Sequence, residues 1–155
     1  MVNLIVELAL LAAVMSTGLM AGVYFAFSAF VMSALKTLPD SSGIASMNGI
    51  NKVILKSAFM PLFFGSCLLA LLLIFFVNES VVESKWVNMA SAIYLLGMLV
   101  TTIVFNVPLN NRLKICALKQ QPEIWQYYLT HWTRWNHIRF VSSIMACLFY
   151  ILALK

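Results

Sequence analysis

The sequence predicts an all-α integral membrane protein, a four-helix bundle with a short amphipathic helix between spans one and two. Three observations lead to this class. Four apolar runs each approach the roughly 20 residues that cross a bilayer. Of 155 residues, 63% are hydrophobic and 10% charged, against about 25% charged in a soluble domain, and the mean hydropathy is +0.94. The Lys and Arg residues gather mainly in two of the connections between the runs. So few charges do not cover the surface of a soluble monomer, and a chain this apolar is the opposite of a disordered one. The net charge of +5 is not a nucleic-acid footprint, because such binders cluster their charge on one soluble face. The length suits a single domain, residues 1–155.

Span one covers about residues 4–35, long enough to tilt or to project from the membrane. It is expected to remain as an anchor rather than act as a cleavable signal peptide. It lacks a basic n-region, carries Glu7 early and offers no convincing cleavage site. Gly18, Gly22 and Ala26 recur every four residues, a small-residue stripe suited to close packing within the bundle or between protomers of a homo-oligomer. Thr17, Tyr24 and Ser28 form a neighbouring semi-polar face. Pro39-Asp40-Ser41-Ser42 ends the span and offers side-chain caps for the next turn. Ile44, Met47, Ile50 and Ile54 then follow at helical spacing and predict the amphipathic helix. Asn51 falls on its apolar side, where an amide needs a partner.

Span two covers about residues 58–77 and ends at Asn78-Glu79-Ser80. Span three covers about residues 86–107. Pro108 ends or bends it, since proline donates no backbone hydrogen bond and disfavours α conformation at Val107. Thr102, Asn106 and Asn110 recur every four residues and draw one polar stripe. Such a stripe faces the bundle or a cavity rather than lipid. It serves equally as interhelical glue around a kink or as a pocket wall.

Gln121-Pro122-Glu123 reads as a helix start with proline in its first turn, well ahead of span four at about residues 138–154. Tyr128, Trp132, Trp135, Asn136, Arg139 and Ser143 share one stripe of this helix. An interfacial aromatic belt explains the rings but not Asn136 and Arg139 among them. Arg139 begins a spanning segment, where a cation is costly unless it pairs or snorkels. It has backbone carbonyls, lipid phosphate or an anionic ligand as possible partners. His131 and His137 lie six residues apart, about 120° around a helix, so one helix does not aim both at one metal or haem. His137 stands beside the stripe as a candidate base. Cys67, Cys116 and Cys147 are odd in number and widely spaced, which indicates neither a disulfide framework nor a zinc site. Cys67 and Cys147 read as small apolar residues.

Charge sets the expected orientation. Lys36, Lys52 and Lys56 lie between spans one and two, and Arg112, Lys114, Lys119 and Arg134 between spans three and four. The opposite side holds Lys85 and Lys155. The positive-inside rule makes the richer side cytoplasmic. The expectation is a multi-pass protein of the cell membrane with both termini outside the cytoplasm.

Gly22-Val-Tyr-Phe-Ala-Phe-Ser28, Met47-x-x-x-Asn51, Asn106-Val-Pro-Leu-Asn110 and Trp132-Thr-Arg-Trp-Asn-His-Ile-Arg139 together resemble the anthrone oxygenase-like family of small four-helix membrane proteins. The resemblance runs over nearly the whole chain. Its specific parts are Asn-Val-Pro-Leu-Asn and Trp-Asn-x-x-Arg. Fungal members are implicated in oxidising polyketide anthrones to anthraquinones, so the resemblance implies a monooxygenase with dioxygen as co-substrate. An anthrone has an acidic C–H, and its anion reacts with dioxygen without a metal. Joined to the residues, this implies an aromatic slot of Trp132, Trp135, Tyr24 and Phe25. Asn106, Asn110, Asn136 and Arg139 would stabilise the oxyanion, and His137 would act as base, with Tyr24 or Tyr128 as alternatives. The expected catalytic set is His137, Arg139 and Asn106. Tyr24, Phe25, Ser28, Asn51, Asn110, Tyr128, Trp132, Trp135 and Asn136 are expected to bind substrate. No flavin, nicotinamide or iron–sulfur signature is present and no metal ligands are assigned, although copper or iron held by several helices stays open. The expected partners are the lipid bilayer and a small aromatic or quinone-like ligand. Two other readings remain: a non-catalytic membrane binder of a quinone or lipid, and a structural or assembly protein.

Overall fold

The structure, a computed structural model, describes residues 2–77, 83–116 and 121–155. The turn signal Asn78-Glu79-Ser80 and the cation Lys119 lie outside these residues. Among the described residues, four helices are long and apolar enough to cross a membrane: α1 (Leu4–Lys36), α3 (Phe59–Phe76), α4 (Ser84–Lys114) and α5 (Gln121–Ala153). The shorter α2 (Asp40–Ile54) links α1 to α3. Helix α5 packs along both α1 and α4, and α3 closes the bundle by joining α4 to α1. The outer face carries the large apolar side chains, among them Ile5, Met15, Leu68, Phe75 and Phe76, all more than half exposed. An apolar surface of that extent calls for lipid as its solvent.

Punctuation acts differently from expectation at two places. The N-cap of α2 is Pro39, and no side chain caps it. Asp40 instead enters the first turn, where a carboxylate suits the positive end of the helix dipole. Pro108 does not end span three, because α4 continues to Lys114. The turn before it, Thr102–Asn106, is π-helical, with the Val107 N–H bonded to the Thr102 carbonyl. This wider turn takes up the register change that a proline imposes on the preceding turn. Two more π-helical stretches interrupt the long helices, Phe27–Val31 in α1 and Leu95–Val100 in α4.

The core has two parts. One, around Leu10, Met20, Phe63, Tyr94, Met98 and Tyr150, fills the bundle between the four long helices. Within it, Ser66 and Tyr94 share a 2.7 Å hydrogen bond, and so do Ser91 and Tyr150. These bonds tie α3 to α4 and α4 to α5 in a medium where apolar contact alone gives little net attraction. The other part joins Met32, Ile44, Met47, Leu113, Trp125, Tyr128 and Trp132 at the end bearing the basic connections. Here α2 packs on the long N-terminal extension of α5. Gly43 allows this approach, since a Cβ there would lie 2.7 Å from Cζ2 of the fully buried Trp125. The small-residue stripe of α1 divides: Gly18 faces Cys147 of α5, while Gly22 has open space before it. All three cysteines are free, with Cys67 and Cys147 buried.

Candidate functional site

The two core regions meet around Arg139. Its backbone lies one helical turn beyond Asn136 on α5, so the two side chains share a face. Arg139 is only 6% exposed. Its Nη2 donates to Asn136 Oδ1 at 2.7 Å, and its Nη1 reaches Thr102 Oγ1 of α4 at 3.4 Å. The guanidinium lies over two rings, 4.5 Å from the Tyr24 centroid and 5.0 Å from that of Trp132. Cation–π attraction of this kind is worth about 2 kcal/mol when desolvated. No carboxylate pairs with it among the described residues, where the recorded ion pair is Lys85 with Glu83 at 3.1 Å on the surface. There the Lys85 ammonium holds the exposed Glu83 carboxyl below its ordinary pKa. Arg139 is therefore a buried cation held by neutral groups, and its Nε has no hydrogen-bond partner among the described residues.

Asn136 locks this arrangement to α1. Its Nδ2 donates to the Tyr24 carbonyl and to Ser28 Oγ, both at 2.7 Å. The bonds fall where α1 passes into its π-helical stretch, and wide turns of this kind recur at functional sites. Thr102 similarly opens the π-helical turn of α4. Both polar contacts of the guanidinium thus come from, or connect to, helices that depart locally from α geometry.

A cavity of about 270 Å³ opens against this cluster. Its polar wall includes Tyr24, Thr102, Asn136, Arg139, Asn51 and Asn110, and its apolar wall includes Phe27, Phe59, Phe63, Leu99 and Trp132. The volume is at the small end for ligand pockets, and an apolar lining with a few convergent polar groups is their usual character. The Tyr24 hydroxyl, Asn51 Nδ2, Trp132 Nε1 and Arg139 Nε are buried without partners among the described residues. Polar atoms left this way are costly unless something meets them.

The expected site residues separate into three groups. Tyr24, Asn51, Asn110, Trp132, Asn136 and Arg139 share the cavity wall. Ser28, Asn106 and Tyr128 stand behind it. Asn106 Nδ2 donates to the Trp132 carbonyl at 3.3 Å, Tyr128 donates to Asn110 Oδ1 at 2.7 Å, and Ser28 receives Asn136. Phe25, Trp135 and His137 are not on the wall. Phe25 is exposed and tilts against Phe140. Trp135 stacks on Phe105 with centroids 3.6 Å apart, and His137 is exposed. The α5 stripe spans a wide arc, and Trp135 at its edge misses the cavity between α1 and α4; His137, beside the stripe, and Phe25 of α1 face outward. Sequence reasoning missed Phe59, Met60 and Phe63 of α3, which carry no polar neighbour to mark them. Thr102, expected as part of the polar stripe but not among the catalytic or binding residues, lies on the cavity wall. Among the described residues, no three of His, Cys, Asp and Glu gather in metal-binding proximity.

These features define a class: a helical membrane bundle with a small apolar pocket ending on a buried, unpaired cation. The family model described as anthrone oxygenase matches residues 52–149, and the chain belongs to that family. The match contains Asn106, Asn110, Trp132, Asn136 and Arg139, while Tyr24 and Asn51 fall before it. No curated protein and no solved structure matches the chain.

Proposed function

We propose that this protein is a membrane oxygenase that converts a flat, apolar, anthrone-like carbon acid into its quinone, using dioxygen, at the cytoplasmic end of the bundle. The observation that carries this reading is Arg139, a buried cation without a counter-charge among the described residues, in the wall of an apolar cavity. Loss of a proton from the acidic CH₂ of such a substrate places negative charge on the ring ketone oxygen. A preorganised guanidinium in a water-poor site stabilises that charge far better than water does. Asn136 and Thr102 fix the guanidinium plane, Trp132 and Phe27 pack on each other with centroids 5.4 Å apart and offer the substrate ring an aromatic wall, and the Tyr24 hydroxyl is available to donate to the same oxygen.

The reaction balances. The substrate anion gives electrons to dioxygen and a C–O bond forms at the former CH₂ carbon. Loss of the second hydrogen with cleavage of the O–O bond then leaves a carbonyl and water. One anthrone and one dioxygen give one quinone and one water. Among the described residues, no histidine or carboxylate lines the cavity, so rate enhancement rests on stabilising the anion, and the proton leaves through solvent at the basic end.

The test uses protein in phosphatidylcholine nanodiscs, with anthrone as probe, following quinone absorbance and oxygen uptake against protein-free discs. Turnover is expected at one dioxygen per quinone. Arg139→Gln should lower it by about 100-fold or more, the scale of losing an oxyanion donor, and Arg139→Lys should retain part of it. Saturable binding of anthraquinone without oxygen uptake would move the protein to a non-catalytic binder of flat aromatics.

A further inference from the structure

We infer that a second cavity, just outside the first, is a subsite for an anionic group attached to the molecule whose apolar body fills the inner cavity. This rests on the inner cavity being the aromatic site proposed above. The outer space is larger, about 670 Å³. Asn51, Ile54, Leu55, Val107 and Asn110 line both spaces, so the two adjoin across one shared wall. Their chemistry differs. The inner wall is mostly aromatic and aliphatic, whereas the outer one adds Asn48, Asn111, Lys52 and Lys114.

Three cations therefore line two adjoining cavities: Arg139 in the inner one, Lys52 and Lys114 in the outer one. Among the described residues, no aspartate or glutamate belongs to either wall, and neither lysine is in an ion pair. The two lysines come from different helices, α2 and α4, and converge on the same space. Asn51 stands at the junction with its Nδ2 buried and unpartnered. A single oxyanion at Arg139 leaves the outer charges unanswered. A carboxylate or phosphate held outside the ring-binding slot answers them, with asparagine amides donating to its remaining oxygens. The ligand class is an amphipathic anion: a planar apolar body with an acidic substituent at one end. A phospholipid headgroup offers the same anionic oxygens from the membrane side.

The experiment compares binding of anthraquinone and anthraquinone-2-carboxylate to the full-length protein in phosphatidylcholine nanodiscs, read by tryptophan quenching. The carboxylate is expected to bind about fivefold or more tightly, the range that two partly exposed ion pairs supply, with the preference shrinking as salt rises. Lys52→Gln/Lys114→Gln should erase the preference while leaving anthraquinone affinity unchanged. A repeat in phosphatidylglycerol discs separates the sources. A preference that survives there assigns the subsite to the ligand's own acid group. A preference lost there, with phosphatidylglycerol retained by the wild type and released by the double variant in native mass spectrometry, assigns the subsite to a lipid headgroup and overturns its assignment to an acid group of the ligand itself. Equal affinity for both probes in phosphatidylcholine, with no lysine-dependent lipid retention, overturns the inference. The inner-site reading has its own readout, the Arg139 dependence of anthraquinone binding, so the two fail separately.

Discussion

Replacing Asn136 by alanine removes a side chain of α5 that hydrogen-bonds both to α1 and to the buried guanidinium. Three hydrogen bonds of 2.7 Å are lost: two donated to the Tyr24 carbonyl and Ser28 Oγ, and one accepted from Arg139 Nη2. Hydrogen bonds between neutral groups in membrane bundles average about 0.6 kcal/mol. The bond to a charged donor is worth about 1.5–3 kcal/mol, and its loss leaves part of a buried cation unsatisfied. A stability loss of about 3 kcal/mol is expected from these contributions. The assay is reversible unfolding in mixed micelles of increasing denaturing detergent, followed by helicity, with Asn136→Ala and Ser28→Ala measured side by side. Ser28→Ala should cost less than about 1 kcal/mol, because Asn136 keeps its other two bonds. A loss below about 1 kcal/mol for Asn136→Ala would falsify the account of Asn136 as the connector that holds Arg139 in place. A large stability loss with full turnover would retain the connector but remove any need for a fixed guanidinium plane.

Other outcomes follow from the same geometry. His137→Ala should keep turnover within about twofold of wild type in the anthrone assay, since the side chain is exposed and away from the cavity; a loss of about 100-fold or more, on the scale of general-base catalysis, would restore it as the base. Gly97→Ala should lose about 1–3 kcal/mol in the same unfolding assay, because its Cβ would overlap the Ser142 side chain on α5. Gly97→Ala/Ser142→Gly should recover most of that loss, and an absence of recovery would show that the helices do not close on this contact. For topology, a single cysteine at Glu83 in a chain otherwise free of cysteine should react with an impermeant thiol reagent added outside intact cells; protection there, with labelling only in inverted vesicles, would reverse the orientation.

Much of the site is legible in the amino-acid sequence. The four-residue spacing of Thr102, Asn106 and Asn110, and an Asn136–Arg139 pair at the start of a span, mark a polar zone that lipid would not tolerate. Their sorting is not legible there. Asn106 and Asn110 lie on the same stripe, yet Asn110 reaches the cavity while Asn106 turns to the Trp132 carbonyl. The π-helical turn Thr102–Asn106 changes the rotation of Thr102 relative to both asparagines, so the even four-residue spacing does not say which members of the stripe reach the cavity. Likewise His137 adjoins Asn136 in sequence but is about 100° from it around the helix, and which of the two faces inward depends on where α1 packs. The role of α3 is hidden altogether, because Phe59, Met60 and Phe63 look the same whether they face lipid or a ligand.

By itself the sequence determined the solvent, the number of crossings and the chemical character of the basic end. Those follow from run length, charge content and spacing along one helix, which are local properties of a chain in a bilayer. Tertiary structure alone decided that Arg139 goes without a counter-ion among the described residues and lies between the Tyr24 and Trp132 rings, and that an apolar and a basic cavity share a wall. These depend on the relative rotation and depth of helices distant in sequence. Local departures from α geometry at Phe27–Val31 and Thr102–Asn106 adjoin these contacts, and hydropathy carries no record of them.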